Sequence, residues 1–546
     1  MEYRIYIEKI REQLEKMSEA DKTEWIYLQA RTADEDNRQS FLDSLAGNVR
    51  TDMELTPEEI NRWCEAVENE EIYFEREWEE DQDSLFSWDP DYVEYYTDEY
   101  GIKNFLAKAL DTCRQLISLR KYSTAYPLLA RLAALEFYIC DEFPEYMTLA
   151  ALEKNGAVRI DFRELMNALL YSCYQSCDGR ERIDRIYSHI SKYSDINMTG
   201  IFSYGPEELQ GTDEFMTEWK SFLMSRKDAA ACGLLKEACM YIGGEELLLE
   251  TAGKKAGAFP ELYADYCRVM YDSGQYDRCI EAAKEAISRI DSSSPVCSTV
   301  SDLAIKAGED RPHLIKNFYF SAFCGRPDMF NLLRLFAAGD SETLKQALAV
   351  IKSMEQGRLK WMFRFMTGEY EEVIRHCMSG QDDSEMKDDI IYLLFVALKE
   401  DKAVKTAAEK AVLDEIMRRS GFAGSERNQY YRMMSAWRKS FKISGDKKQE
   451  YISRLQDETD RYVDMTAGGG HRESYDKAAR YAVVLGEVLE DNGMEQGLSE
   501  TVGRYKKSIQ KNMLSQGNFQ KLRKSLKYNF VTDAVTGQRK VINNTY

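Results

Sequence analysis

Cysteines and histidines are the residues in this 546-residue chain whose type and spacing come closest to a metal site. Cys173 and Cys177 stand four residues apart on a predicted helix. No second cysteine pair and no nearby histidine completes a tetrahedral set, because His189 is twelve residues further along the chain. The neighbours His376 and Cys377 point about 100° apart on a helix, which is a poor arrangement for sharing one ion. We therefore expect no bound metal, and we interpret the cysteine pair as two small core residues.

Nucleophilic and nucleotide chemistry has no better support in the sequence. The chain has four histidines, and none lies in an HExxH motif. In TAGKKAG, residues 251–257, Lys255 stands where a phosphate-binding loop needs Ser or Thr, and Leu248 stands where it needs its first glycine. The run GGGHRES at 468–474 can offer backbone amides to an anion, but three glycines more commonly form a linker. We predict a chain without catalytic residues or cofactors.

An acidic aromatic segment is the clearest functional signal. Residues 75–100 hold eleven carboxylates and seven aromatic rings, with Arg76 as the single basic residue. Exposed rings flanked by charge have the composition of a protein-binding hot spot, and carboxylates steer a basic partner toward such rings. A solvated charged surface without a partner is the competing interpretation. The rings predicted to bind a partner are Trp78, Phe86, Trp88, Tyr92, Tyr95 and Tyr96.

A basic stretch near the other end of the chain has the opposite charge. Residues 504–527 contain eight Lys and Arg and no acid, whereas the whole chain has a formal net charge of −21. The net charge argues against general affinity for nucleic acid, but this stretch can contact phosphates, an acidic partner or the acidic aromatic segment itself. Nucleic-acid binding is therefore the alternative function, with a steep loss of binding between about 50 and 200 mM salt as its signature. The residues concerned are Arg504, Lys506, Lys507, Lys511, Lys521, Arg523, Lys524 and Lys527.

Helices must position most of these residues. Apolar residues recur three and four apart along most of the chain, and short breaks rich in Gly, Asp or Ser separate runs of about 10 to 16 residues. No proline follows Pro327, so the second half lacks the strongest helix breaker. Alternating strand patterns are nearly absent, except in the tail, where two β-prone runs flank Gly537 and predict a small hairpin. The sequence predicts an all-α fold, an irregular α-solenoid of antiparallel helical hairpins.

One pair of predicted helices resembles a tetratricopeptide repeat. Residues 261–290 place aromatic, large and small apolar residues on a first helix, a glycine at the turn and small residues on a second helix. Looser copies occur at 367–378 and from Arg120 onward. The resemblance implies helical hairpins that stack into a protein-binding surface. The residues that carry it are Tyr263, Tyr266, Cys267, Met270, Gly274, Cys279, Ala283 and Ala286.

The segment 471–516 is similar to the helical region that accompanies SWIM zinc fingers. The C-x-C and C-x-H ligands of the finger are missing from this sequence, so the resemblance implies the helices without a metal role. The residues that carry it are Tyr475, Ala478, Ala479 and Tyr481 on one predicted helix and Arg504, Tyr505, Lys506 and Lys507 on the next.

The N-terminus, the apolar runs and the cysteines indicate in which compartment the protein is expected. The N-terminus lacks the apolar core of a signal peptide, and no uncharged apolar run approaches the length of a membrane span. The twelve cysteines are scattered, which is typical of a reducing cytoplasm. We expect a non-catalytic protein-interaction or scaffolding subunit of a cytoplasmic assembly, without a membrane, whose partner is another protein with a basic patch.

Five regions are expected along the chain. They are an N-terminal helical region with the acidic aromatic segment, two helical repeat regions, C-terminal helices with a basic face, and a tail. Their predicted bounds are 1–100, 101–300, 301–465, 471–527 and 528–546.

Overall fold

The computed structural model describes residues 13, 16–32, 53–80, 92–193, 196–338, 341–378, 384–399, 407–421, 427–469 and 472–515. In these residues it shows 23 α-helices and one sheet of four short strands, so the predicted all-α class is confirmed. The chain divides into two compact units, residues 1–262 and 263–546, called unit 1 and unit 2 below. None of the helices in the described part is long and apolar enough to cross a bilayer.

Nine helices lie in the described part of unit 1, and local sequence explains where they begin. Thr56 and Glu59 form a capping box at the start of α2. Pro57 takes the first helical position, where a backbone N–H would have no partner within the helix. Gly244, with a φ of 62°, interrupts α9 near its middle. The helices are α1 (Glu19–Thr32), α2 (Pro57–Glu68), α3 (Ile102–Ser118), α4 (Tyr122–Ala134), α5 (Leu149–Lys154), α6 (Phe162–Ser176), α7 (Gly179–Ile190), α8 (Thr212–Met224) and α9 (Ala229–Lys255).

Unit 1 also contains the four-stranded sheet. Its strands are β1 (Phe74–Glu80), β2 (Tyr92–Thr97), β3 (Glu136–Cys140) and β4 (Glu145–Thr148). The spatial order is β2-β1-β3-β4, with β1 and β3 parallel and the two outer pairs antiparallel. The central pair therefore joins segments about sixty residues apart, because Phe74 lies opposite Ile139.

The sheet contradicts the expectation that strands are confined to the C-terminal tail, which itself lies outside the described residues. Strands β1 and β2 fall inside the acidic aromatic segment, where we expected a charged surface rather than a ladder. Aromatic residues favour strands, and the register sets an acid opposite a ring three times, as in Glu77 with Tyr95 and Trp78 with Glu94. Such pairs become visible only when both strands are known.

An aromatic core fixes which face of the sheet points inward. Phe74 on β1 and Phe137 on β3 are fully buried, and their ring centroids lie 5.9 Å apart. Trp63 on α2 lies 6.1 Å from Phe137 and stacks on Phe105 of α3 at 4.5 Å. Since strand side chains alternate between faces, this packing directs the neighbouring residues of β1 and β3 to the opposite, outer face.

Helices make up the described part of unit 2. Most consecutive helices pack against each other, and a continuous apolar core runs from Phe323 to Tyr505. Trp437 lies fully buried in this core, where its indole N–H donates to the Met366 carbonyl at 3.0 Å. The helices are α10 (Glu261–Asp272), α11 (Tyr276–Arg289), α12 (Pro295–Ala307), α13 (Pro312–Gly325), α14 (Met329–Ala338), α15 (Ser341–Ser353), α16 (Arg358–Met366), α17 (Tyr370–Met378), α18 (Ser384–Leu398), α19 (Ala407–Arg419), α20 (Arg427–Ser440), α21 (Gly445–Gly469), α22 (Arg472–Asp491) and α23 (Gly497–Ser515).

Helices α10 and α11 form the pair that resembles a tetratricopeptide repeat. Gly274 lies between them with a φ of 75°, the left-handed conformation that ends a helix most easily with glycine. The residues predicted to face inward are all buried, namely Tyr263, Tyr266, Cys267, Met270, Cys279, Ala283 and Ala286. The small residues on α11 give the second helix of the pair a narrow buried face, as predicted.

A buried ion cluster joins four elements of unit 2. Lys399, which follows α18, donates to Glu487 of α22 at 2.6 Å and lies 3.8 Å from Glu409 of α19. Arg438 of α20 donates to the same Glu409 at 2.9 Å. All four side chains are more than nine-tenths buried. In such a place each charge depends on its partners, because an unpaired buried ion is strongly destabilising.

We expect Lys399→Met to lower the free energy of unfolding by about 3–5 kcal/mol, because it leaves Glu487 without its counter-ion. The double variant Lys399→Met/Glu487→Leu removes both charges and is expected to recover most of this loss. Urea unfolding followed by circular dichroism measures both changes. A double variant no more stable than the single one would contradict the pairing.

Candidate interaction surface

The outer face of the sheet presents acids and tyrosines. The strand register shows which exposed or half-buried residues share this face. Glu77 lies opposite Tyr95, and Tyr138 lies opposite Tyr146. In the parallel pair, Glu75 lies opposite Cys140. Among the described strand residues whose side chains point outward, none is basic. This face therefore combines apolar rings with uncompensated negative charge.

Four tyrosine rings lie in contact across this face, and we call them the tyrosine row. Ring centroids are 5.0 Å apart between Tyr100 and Tyr73, 6.2 Å between Tyr73 and Tyr138, and 5.6 Å between Tyr138 and Tyr146. The two end members, Tyr100 and Tyr146, are 44% and 57% exposed, and Tyr95 on β2 is 47% exposed. Rings that support one another in this way are rigid and still open to a partner.

Carboxylates lie close to two members of the tyrosine row, Tyr73 and Tyr146. The hydroxyl of Tyr146 donates to Glu70, and this hydrogen bond raises the pKa of Tyr146. Hydrogen bonding with Tyr100, together with a smaller effect of the charge of Glu75, raises the pKa of Tyr73 to about 12. At neutral pH these tyrosines are therefore uncharged hydrogen-bonding groups beside ionised acids.

Arg76, the only basic residue of the acidic aromatic segment, points to the other side of β1. Its guanidinium donates to Asp141 at 2.5 Å and also to Glu145, and it lies 3.5 Å from Glu94. Burial opposes its charge, but the hydrogen bonds that it donates to Asp141 and Glu145 raise the pKa of Arg76. With its side chain only 11% exposed, Arg76 ties the strands together rather than meeting a partner.

The six rings predicted from the sequence do not gather on one face. Tyr95 lies on the outer face, whereas Trp78 and Tyr96 belong to the inward-pointing set of their strands. Trp78 lies near the end of β1 and is 55% exposed, and Tyr96 is half buried against Phe74 at 6.3 Å. Tyr92 lies in β2 opposite Glu80, with only its backbone described, and Phe86 and Trp88 lie outside the described residues.

None of the four members of the tyrosine row is among the six rings predicted from the sequence, because the sheet that brings them together is not predicted. Tyr138 alternates with the buried Phe137 and Ile139, which is a short period-two signal. Tyr146 stands next to Met147 in a strand of four residues, too short to be recognised alone. Tyr73 precedes the acidic aromatic segment by two residues, and Tyr100, the fourth member, closes that segment but was not singled out.

The basic stretch near the C-terminus is described only in part. Arg504 on α23 lies 3.1 Å from Asp460 of α21, and Lys507 is exposed. Lys506 and Lys511 belong to α23, but their side chains lie outside the described set. The same holds for the whole of Lys521, Arg523, Lys524 and Lys527.

The histidine and the predicted cysteine pair of unit 1 lie in buried or half-buried surroundings. Tyr126 of α4 and His189 of α7 approach each other at 3.1 Å, and burial lowers the pKa of His189. Cys173 and Cys177 are both buried, and burial raises the pKa of Cys173 to about 12. A thiol with such a pKa stays protonated at neutral pH and is a poor nucleophile. No metal-binding group of three or more His, Cys, Asp or Glu occurs in the described residues.

We expect Arg76→Ala to lower the free energy of unfolding of unit 1 by about 3 kcal/mol, because Asp141, Glu145 and Glu94 then repel one another without a counter-ion. Urea unfolding and faster hydrogen exchange at residues 136–148 measure the effect. Arg114→Ala, which removes an exposed pair with Glu164 in the same unit, is the matched control and is expected to lose less than about 1 kcal/mol. If both variants lose the same free energy of unfolding, Arg76 does not stabilise the sheet more than an exposed ion pair does.

Comparison of the chain with protein-family models, with curated proteins and with solved structures finds no match. The resemblances to tetratricopeptide repeats and to the helices of SWIM proteins therefore remain predictions. The function of the chain must be inferred from its own surfaces.

Proposed function

We propose that this chain is a non-catalytic protein-interaction subunit that binds a basic segment of another protein on the outer face of its sheet. The observation that carries the proposal is the tyrosine row, which is exposed at both ends and surrounded by carboxylates with no base among the described outward-pointing strand residues. Large aromatic clusters exposed in this way are typical of interaction sites.

The chemistry of this face favours a partner rich in arginine and lysine. The tyrosine faces attract a guanidinium or ammonium group through cation–π interactions, and the nearby Glu75 and Glu77 supply charge-assisted hydrogen bonds. The acidic surroundings also speed the encounter with a basic partner. A mainly acidic segment is disfavoured on this face because like charges would meet.

The rest of the chain is consistent with a scaffolding role. Helices make up most of the described part of both units, and helical-repeat proteins use such helices to hold other chains. All twelve cysteines are unpaired, which supports a reducing compartment such as the cytoplasm. We therefore propose that the assembly is cytoplasmic.

A photo-crosslinking amino acid in place of Tyr95 tests the surface in the native host. We expect it to attach a Lys- and Arg-rich segment of a partner protein, identified by mass spectrometry of the crosslinked peptide. The same crosslinker at Tyr276, an exposed tyrosine of unit 2, is the control and is expected to give no such product. Crosslinks that are equal at both positions, or a crosslinked segment without basic residues, would refute the proposal.

The energetic contribution of the rings is tested with a synthetic peptide of the crosslinked segment. Tyr100→Ala/Tyr146→Ala is expected to weaken binding by at least about tenfold, because truncating hot-spot aromatics typically has an effect of this size. Both rings are exposed, so the helical circular dichroism signal is expected to stay unchanged. Unchanged affinity in the folded double variant would remove the tyrosine row from the interface.

A further inference from the structure

A cavity among four helices of unit 2 is the feature that the proposed function leaves unexplained. Its volume is about 760 Å³, which falls within the range of small-molecule sites, and residues of α12, α13, α14 and α20 line it. The lining combines seven charged side chains with apolar and aromatic ones such as Ile315, Tyr319 and Met433. Apolar walls with a few polar groups are typical of sites that hold an organic molecule in one orientation.

Arg334 of α14 is the most deeply buried charged residue that lines this cavity, with its side chain 10% exposed. Its guanidinium carbon lies 4.9 Å from the ring centroid of Phe330 and 5.5 Å from that of Tyr319. One terminal nitrogen, Nη1, donates to Asp302 at 2.5 Å and to Asn331 at 3.0 Å. Two rings and two acceptors therefore hold the guanidinium in place before any ligand arrives.

The groups that hold Arg334 are themselves fixed. Asn331 is fully buried, and its side-chain amide donates to the Arg326 carbonyl at 3.0 Å. The backbone N–H of Asn331 donates to the carboxylate of Asp328 at 2.8 Å, which caps the start of α14. Asp302 also lies 3.5 Å from Arg326. The guanidinium is thus a preorganised group and not a mobile surface cation.

The remaining edge of this guanidinium has no protein partner. An arginine has five N–H groups, and the two on Nη1 serve Asp302 and Asn331. Within the part of the chain that the structure describes, no acceptor receives a hydrogen bond from Nε or Nη2 of Arg334. Neither nitrogen is fully enclosed by protein, so this edge opens onto the cavity that Arg334 lines. The Nε and Nη2 groups point side by side, which is the arrangement that binds both oxygens of a carboxylate.

The other lining residues limit the kind of anion. Three of them are acids, Asp302, Glu309 and Asp328, so a ligand with several negative charges would meet repulsion. Ile315 and Met433 are buried and supply an apolar wall, and Tyr319 is half buried. These surfaces suit a ligand whose single charged group is attached to an apolar body.

We propose that this cavity binds a small organic acid with one carboxylate and an apolar or aromatic body. The carboxylate accepts two parallel hydrogen bonds from Nε and Nη2 of Arg334. The body lies against Ile315, Met433 and the ring of Tyr319. The site belongs to unit 2 alone and does not depend on the outer face of the sheet in unit 1.

Ligand-observed NMR titration of the full chain tests the proposal with 4-phenylbutyrate and hexanoate, each beside its primary amide. We expect at least one acid to bind with a Kd below about 1 mM, and its amide to bind at least about tenfold more weakly because it lacks the charge. Failure of both acids to bind, or equal binding of acid and amide, would overturn the proposal. A ten-residue peptide that ends in the carboxylate of phenylalanine is the third probe. If it binds more tightly than both acids, the ligand is a peptide C-terminus and the small acid is refuted.

Arg334→Lys locates the site. It keeps a positive charge beside Asp302 but removes the pair of parallel N–H groups, so we expect it to weaken binding of the acid by at least about tenfold. Arg364→Lys is the matched control, because Arg364 is an equally buried arginine of unit 2 that pairs with Glu369 and does not line the cavity. This control is expected to bind as the unchanged protein does. An equal loss in both variants would overturn the proposal.

A second variant blocks the cavity without replacing Arg334 or its partners. Ala337 is exposed on the last turn of α14 and lines the cavity, so Ala337→Trp fills part of the space that the ligand needs. We expect this variant to lose binding of the acid while its helical circular dichroism signal stays unchanged. Binding that persists in the folded Ala337→Trp variant would place the ligand elsewhere and overturn the proposal, even if Arg334→Lys fails to fold.

Discussion

Arg76 is the single cation of a strongly acidic stretch, and its guanidinium contacts Asp141 after β3, Glu145 on β4 and Glu94 on β2. One side chain on β1 therefore joins the other three strands of the sheet. These contacts lie on the side of β1 opposite to the tyrosine row, so they fix the strands and place no positive charge among the described outward-pointing strand residues. The outer face therefore keeps its negative charge and its tyrosine rings, because Arg76 lies on the other side of the sheet.

The same rule governs charge in unit 2. Lys399 and Arg438 are buried only together with Glu487 and Glu409, because a buried ion requires a partner close enough to replace water. The chain, with a net charge of −21, thus contains two different arrangements of charge, an acidic aromatic face in unit 1 and a buried cluster of paired ions in unit 2.

Sequence reasoning succeeded where structure depends on near neighbours. The three-and-four spacing of apolar residues predicted the all-α class. The pattern around Gly274 correctly predicted which residues of α10 and α11 are buried. It failed for the sheet, whose central pairing sets Phe74 opposite Ile139. Strand β1 has the sequence FEREWEE, with five charged residues in seven, which is not typical of a strand. Its stability comes from pairing with residues of other strands.

The sequence by itself determined the helices, the absence of a recognised catalytic or cofactor motif, and the concentration of acids and rings between residues 75 and 100. These are properties of composition and local spacing, which each segment carries alone. Only the tertiary structure decided that Tyr138 and Tyr146 join Tyr73 and Tyr100 in one row, and that Lys399 meets Glu487 in a buried ion cluster. Such groupings depend on strand register and helix packing, which bring distant residues together through contacts that no single segment encodes.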